Sequence, residues 1–282
     1  MFNYTIKYTA ENIYENPVFE AFWQFLVIPQ NNETQDLVSS KFSTSLDCPI
    51  EKSINGYDFD TVRIHYKKPF ETMRFEAVFK MKKTEIKSVK VDAASKVEDD
   101  YIAISTLDFK VDFESSLSIT ALTRLPKEHL RIFKFDTSKH ILDNIIQLNS
   151  WVYNYLSFRK DVTDQEMALK DVIEKKAAGS QGFVHLFLAI IRQNNVPARY
   201  VSGYLHQGND FFNDSQIHAW AEVYIPKLGW IGFDPINDLL VSHNHVKISH
   251  GQDYNDCEPS KQFLFSLGDK KIKHTVEVTY EQ

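Results

Sequence analysis

The sequence predicts an α+β protein: an N-terminal antiparallel β-sandwich over residues 1–125, then a core over 126–282 in which helices pack on an antiparallel sheet. Up to about Arg124 the apolar residues alternate with polar ones, the two-residue period of half-buried strands. Past Leu125-Pro126 the apolar spacing changes to three and four residues, the helical period, and from Arg199 strand patterns return. A length of 282 residues favours two units, each with its own core, over one. Helices followed by a run of strands, rather than strands and helices in alternation, is the α+β pattern.

The first strand is read at 2–9, where Tyr4, Ile6 and Tyr8 face away from Asn3, Thr5 and Lys7. The stretch 18–28 is dense in Phe22, Trp23, Phe25, Leu26, Val27 and Ile28 and stops at Pro29, a strand covered on both faces. A polar loop at 30–36 precedes a weaker strand at 37–46. Asn55-Gly56 marks a turn between two strands. Val62, Ile64 and Tyr66 then alternate with Arg63 and His65, and Met73, Phe75, Ala77, Phe79 and Met81 continue the pattern past Pro69. The charged stretches 80–90 and 92–100 read as a solvated strand end and a loop. The aromatic residues fall on inward positions, so they are assigned to the sandwich core rather than to a sugar-binding surface.

In the second part, Ile141, Ile145, Leu148, Val152 and Tyr155 place one helix within 138–157. Thr163-Asp164-Gln165-Glu166 matches a capping box and predicts a helix from there to about Ala177. Gly179 breaks it. A third helix over 180–193 turns Phe183, Leu186, Phe187 and Ile190 inward and stops at Asn194-Asn195-Val196-Pro197. Strands are predicted at 199–205, 218–225, 230–233, 246–249 and 274–280.

The bulk composition is that of a globular protein, 43% hydrophobic and 25% charged. With a net charge of −6 and no basic stripe, nucleic acid is not an expected partner. The longest apolar run, near 183–191, is too short to cross a bilayer, and the N-terminus lacks the pattern of a signal peptide, so no membrane partner is expected either. Two cysteines, Cys48 and Cys257, cannot form a disulfide framework, which fits a cytoplasmic location. No cofactor is implied. Oligomeric state is not legible.

The stretch 179–237 carries the chemistry. Ser180 stands where a helix begins, so free N–H groups and the helix dipole favour negative charge on its side chain. His218 opens a strand and Asp234 closes the next. Adjacent antiparallel strands bring an imidazole and a carboxylate within hydrogen-bond reach, where the carboxylate fixes tautomer and orientation. The candidate catalytic set is therefore Ser180 as nucleophile, His218 as base and Asp234 as orienting group. Ala178-Gly179-Ser180-Gln181-Gly182 nearly fits the Gly-x-Ser-x-Gly elbow, but that motif needs a strand before the serine and places the acid before the histidine. His185 reads as a packed core residue, and Trp220 and Trp230 as core or cleft wall. His243, His245 and His250 lack thiol or carboxylate companions at ligand spacing, so no metal is assigned.

These motifs resemble the bacterial transglutaminase-like family, whose core is papain-like. The resemblance is carried by Pro197-Ala198-Arg199-Tyr200-Val201-Ser202-Gly203-Tyr204, by His218-Ala219-Trp220-Ala221-Glu222-Val223, by Gly229-Trp230-Ile231-Gly232-Phe233-Asp234-Pro235-Ile236-Asn237 and by Gly251-Gln252-Asp253-Tyr254. The β-rich first half also resembles the region that precedes the core in this family. The resemblance implies acyl transfer at a peptide carbonyl or glutamine amide of a peptide or protein substrate, through a thioester, with a backbone N–H at the helix start as an oxyanion donor. It carries His218 and Asp234 over directly. At the family's cysteine this chain has Ser180, and at the following Asp it has Gly182. A thiol can be ionised in the resting state by an imidazole and a helix end, whereas a hydroxyl must lose its proton during attack. Three readings of Ser180 stay open on the sequence: catalysis weak or lost with a peptide-binding role retained, a working serine hydrolase or acyltransferase, or a serine standing in for a natural cysteine.

Overall fold

The computed structural model describes residues 1–86, 96–159, 167–206, 216–265 and 268–281. Six strands open the chain: β1 (Phe2–Val18), β2 (Ala21–Phe25), β3 (Gln35–Thr44), β4 (Ile50–Ile54), β5 (Asp60–Tyr66) and β6 (Phe70–Lys83). They build two antiparallel sheets together with the last two strands of the chain, β14 (Ser260–Leu264) and β15 (Lys270–Glu281). The orders are β15-β1-β6-β3 and β14-β2-β5-β4. Tyr4, Ile6, Tyr8 and Ala10 of β1 and Phe75, Ala77, Phe79 and Met81 of β6 turn their buried faces to the second sheet. Phe25 of β2 stacks on Phe75 at 4.1 Å between ring centroids. Trp23, Phe25, Phe75 and Phe79 are fully buried, so this aromatic density is core packing, with each such ring contributing about 1.5–3 kcal/mol.

The Asn55-Gly56 signal does mark the reversal between β4 and β5, by a different device from a two-residue turn. The Asn55 side-chain oxygen accepts the amides of Tyr57 (2.9 Å) and Phe59 (3.0 Å), and the left-handed position is taken by Asp58, at φ 61°. Asparagine and aspartate tolerate these roles because their short polar side chains substitute for backbone partners.

Two stretches differ from the sequence reading. The region 97–125 is not sandwich. It forms α1 (Val97–Ser105), α2 (Leu107–Asp112) and α3 (Glu114–Leu117), and Ile104, Leu122 and Leu125 join the core of the second half. Its apolar residues Phe109, Val111 and Phe113 alternate like a strand, which hid the helical signals. Those signals are Glu98, Asp99 and Asp100 in the first turn of α1 and the Thr106 hydroxyl, which accepts the Phe109 amide at 3.4 Å as an N-cap of α2. The C-terminal strands, read with the core, instead hydrogen-bond to β2 and β1. Alternation identifies a strand but does not say which sheet edge it completes.

The core comprises α4 (Ile141–Tyr155), β7 (Ser157–Phe158), α5 (Leu169–Lys175), β8 (Ala177–Ala178), α6 (Ser180–Gln193), β9 (Ala198–Leu205), β10 (His218–Ile225), β11 (Gly229–Asp234), β12 (Leu239–Leu240) and β13 (His245–Gly251). The proposed capping box at 163–166 lies outside the described residues, and α5 begins only at Leu169. Five strands form one antiparallel sheet in the order β12-β11-β10-β9-β13. Helix α6 is buried from Gly182 to Arg192, as its apolar sequence demands, and packs between this sheet and α4. Arg192 is tolerated inside because its guanidinium donates to the carbonyls of Ser116, Ala198 and Gln252 and to the Thr123 hydroxyl. Sandwich and core are joined by Tyr204, whose hydroxyl donates to the Val27 carbonyl at 2.7 Å, and by the Gln35 amide, which bonds both backbone groups of Lys247. Among the described residues no helix is long and apolar enough to cross a membrane.

Candidate functional site

Gly179 is extended (φ −80°, ψ −172°) and Ser180 is the first residue of α6. The N–H groups of that first turn have no intrahelical acceptor, and the helix dipole places partial positive charge there. Ser180 is partly exposed, and among the described residues its hydroxyl forms no hydrogen bond.

His218 and Asp234 are brought together by strand register. Ala221 lies opposite Phe233, so His218 at the start of β10 and Asp234 at the end of β11 are diagonal neighbours on one face. The His218 Nε2 is 2.8 Å from Asp234 Oδ2, with both side chains shut off from solvent. The carboxylate is saturated. Oδ1 accepts the amides of Ile236 (3.1 Å) and Asn237 (3.3 Å), and Oδ2 accepts the Asn237 side-chain amide at 2.8 Å. Burial alone would raise the Asp234 carboxyl. The His218 ring, and hydrogen bonds from His218 and His245, override that and hold it well below the usual carboxylate range.

A second imidazole on this carboxylate was not expected from the sequence. His245, at the start of β13, places Nε2 3.2 Å from Asp234 Oδ2 and is itself buried. Its Nδ1 accepts the Ser242 amide at 3.2 Å, so the ring proton sits on Nε2 and is donated to the carboxylate. His218, Asp234 and His245 offer ligand atoms all within 4.8 Å of one another, the one such grouping among the described residues. The tautomer of His245 spends its Nε2 on the carboxylate, so the cluster is hydrogen-bonded rather than arranged for a cation. The other two histidines weighed with His245 lie elsewhere: His243 stacks on Phe2 at 3.8 Å, and His250 meets Phe59 edge-on at 5.1 Å. Nothing in local spacing announces His245: β13 pairs with β9, two strands away from β11, and only the tertiary fold brings the His245 side chain to Asp234.

Other motif residues serve the scaffold. Arg199 and Glu222 face each other across β9 and β10. The guanidinium grips the carboxylate at 2.7 and 2.6 Å, and Lys247 adds a third contact at 2.6 Å. Arg199 also lies over the Trp230 ring, 4.0 Å from its centroid. Burial would raise the Glu222 carboxyl, but Lys247 and Arg199 hold it below its ordinary value. Gly203 is required because a Cβ there would strike the Trp220 ring and the Val246 carbonyl. His185 is buried, accepts the Tyr254 amide at 3.3 Å, and is pushed down to about 3 by burial and by Arg192. Cys257 is fully buried, with its thiol pushed up to about 12 by burial, which leaves it a core residue rather than a resting thiolate.

His218 opens onto a cavity of about 380 Å³ whose wall also includes Gln181 of α6, Tyr254, Cys257, Gln262 and His274. The last two come from β14 and β15, so the sandwich closes one side of the cleft. Of the three residues expected from the sequence, His218 and Asp234 are in direct contact. Ser180 stands at the helix start, beside the cavity wall to which Gln181 contributes.

Residues 133–235 match the model of the transglutaminase-like superfamily. Over its whole length the chain shares its fold with the crystal structure of a candidate cysteine protease from Cytophaga hutchinsonii. The TM-score is 0.79 at 19% identity, covering 100% of this chain and 91% of that one. An uncharacterised protein of Mycobacterium leprae is 23% identical over 99% of both chains. An uncharacterised protein of Mycobacterium tuberculosis is 28% identical over 49% of this chain and 47% of its own. The stretch holding α4, α6 and the strands that carry His218 and Asp234 thus lies within the residues that match the transglutaminase-like superfamily model.

Proposed function

We propose that this protein acts on peptide or glutamine amide carbonyls by acyl transfer, with Ser180 as nucleophile, His218 as base and Asp234 as the group that orients it, and that serine makes the reaction slow. The observation that carries this reading is the buried 2.8 Å contact between His218 Nε2 and Asp234 Oδ2, at a cavity beside the start of α6. With Nε2 committed to the carboxylate, Nδ1 is the ring atom that takes the Ser180 proton. The Oγ–carbon bond forms as that proton leaves. The oxyanion accepts the Ser180 backbone N–H, and the amine departs with the proton returned by His218. Water or a second amine then releases the acyl group from Ser180.

One observation favours a second reading, a non-catalytic peptide-binding module. The Ser180 hydroxyl forms no hydrogen bond among the described residues, whereas a serine nucleophile needs its base in contact. Intact-mass detection of acyl adducts from an activated ester separates the two, applied to the Ser180 chain, Ser180→Ala and Ser180→Cys. The proposal expects slow labelling of the Ser180 chain, none at this site in Ser180→Ala, and labelling faster by about two orders of magnitude or more in Ser180→Cys. Absence of labelling at position 180 in both the Ser180 chain and Ser180→Cys would overturn the proposal and favour the binding-module reading instead.

A further inference from the structure

Behind the His218–Asp234 pair lies a second cavity, of about 440 Å³, in the seam between sandwich and core. His245 is on its wall, and so are Lys83 of β6, Lys247 of β13 and Trp220 of β10. Its charges are unevenly paired. Its wall carries two lysines, Lys83 and Lys247, and two glutamates, Glu222 and Glu85, but Glu222 is taken up by Lys247 and Arg199, so among the described residues Lys83 has no carboxylate in contact. Lys83 is 2% exposed. Among the described residues its ammonium has one acceptor, the Gln35 side-chain oxygen at 3.4 Å, a neutral atom that also accepts the Lys247 amide at 2.9 Å. An ammonium has three donors, and a buried one without a carboxylate partner is costly unless something supplies acceptors. Burial lowers Lys83 to about 8, which still leaves it mostly charged at neutral pH. The Trp220 indole N–H is likewise buried and finds no acceptor among the described residues. The rest of the lining includes the apolar side chains of Trp230, Leu228, Ile231 and Val241, and the carboxylate of Glu85 is exposed.

We propose that this cavity is a binding site for a small carboxylate with an apolar body, its oxygens held by Lys83 and its body against the tryptophan and aliphatic wall. The volume is that of a small-molecule pocket. The buried Lys83 ammonium, with only the neutral Gln35 oxygen as acceptor among the described residues, accommodates an anion, and Glu85 disfavours a second negative charge on the ligand. The site stands apart from the acyl-transfer reading and does not depend on it.

The test is a titration of the full chain followed by the ¹⁵N–¹H resonances of its tryptophan indoles, with phenylacetate, its neutral amide phenylacetamide, and inorganic phosphate as probes. Saturable displacement of the Trp220 indole resonance by phenylacetate is expected, with phenylacetamide weaker by about tenfold or more, the loss of one charge-assisted contact. Lys83→Met should weaken phenylacetate by a similar factor, and Lys83→Arg should retain binding, which separates lost charge from lost fold. Equal binding of acid and amide, unchanged binding by Lys83→Met, preference for phosphate, or no saturable shift would each overturn the proposal.

Discussion

The five-stranded sheet carries two carboxylates, Asp234 fully buried and Glu222 half-buried, each gripped by two basic side chains. Glu222 sits between Arg199 and Lys247, permanent cations near neutral pH. Asp234 sits between His218 and His245, imidazoles that can exist uncharged. The first cluster ties β9, β10 and β13 together and cannot discharge without leaving a bare guanidinium in the core. The second is built on imidazoles, the side chain type whose ordinary titration range spans neutral pH, which is the property a proton-handling site requires. Similar geometry on one sheet therefore separates a fastener from a candidate reaction centre, by the choice of basic partner.

The largest effect expected is on the fastener. Glu222→Gln strands the buried Lys247 and the half-buried Arg199 and should cost about 3 kcal/mol in urea unfolding. Asp234→Asn keeps the shape and strands no guanidinium or ammonium, so it should cost less, about 1–3 kcal/mol. Equal costs would remove the distinction between the clusters.

The pH dependence of stability sharpens the same contrast. His185, His245 and His250 are all held below the ordinary histidine value, chiefly by burial, with His185 and His250 at about 3. Below the unfolded value near 6.5 the unfolded chain binds protons that the folded chain refuses, so their contribution is complete above that pH and declines as pH falls toward 3. Asp234 and Glu222, both depressed, add a further loss below about pH 4.5, where the unfolded carboxylates protonate. Unfolding free energy should therefore fall from pH 7 to pH 5 by up to about 1.4 kcal/mol per unit for each such histidine. A curve flat over that interval would contradict the neutral, buried state assigned to them. The smallest expected effect is that of His245→Gln, whose amide can still donate to Asp234. It should cost about 1 kcal/mol and leave His218 in place, as read from its imidazole resonances.

Helix α6 and strand β10 were legible to the residue, because each is announced by a change of period and bounded by Gly179, by the Asn-Asn-Val-Pro stop or by the His-Ala-Trp-Ala-Glu motif. The His218–Asp234 contact was legible too, since two consecutive antiparallel strands fix their own register. What escaped depended on distant partners. Strands β14 and β15 look local in sequence yet complete sheets that begin more than two hundred residues earlier. The helices at 97–117 were masked by chance alternation. His245 and Lys247 act only because β13 pairs with β9, which places them beside groups on β10 and β11.

The account rests on position 180 lying within the electrostatic reach of His218. The most direct measurement is the pH dependence of iodoacetamide alkylation at that position in Ser180→Cys, resolved by peptide mass from Cys48 and Cys257, with and without His218→Ala. A titration midpoint well below the ordinary thiol value of about 8.5, moving back toward it when His218 is removed, is the predicted result. A midpoint at the ordinary value, unmoved by His218→Ala, would contradict the account.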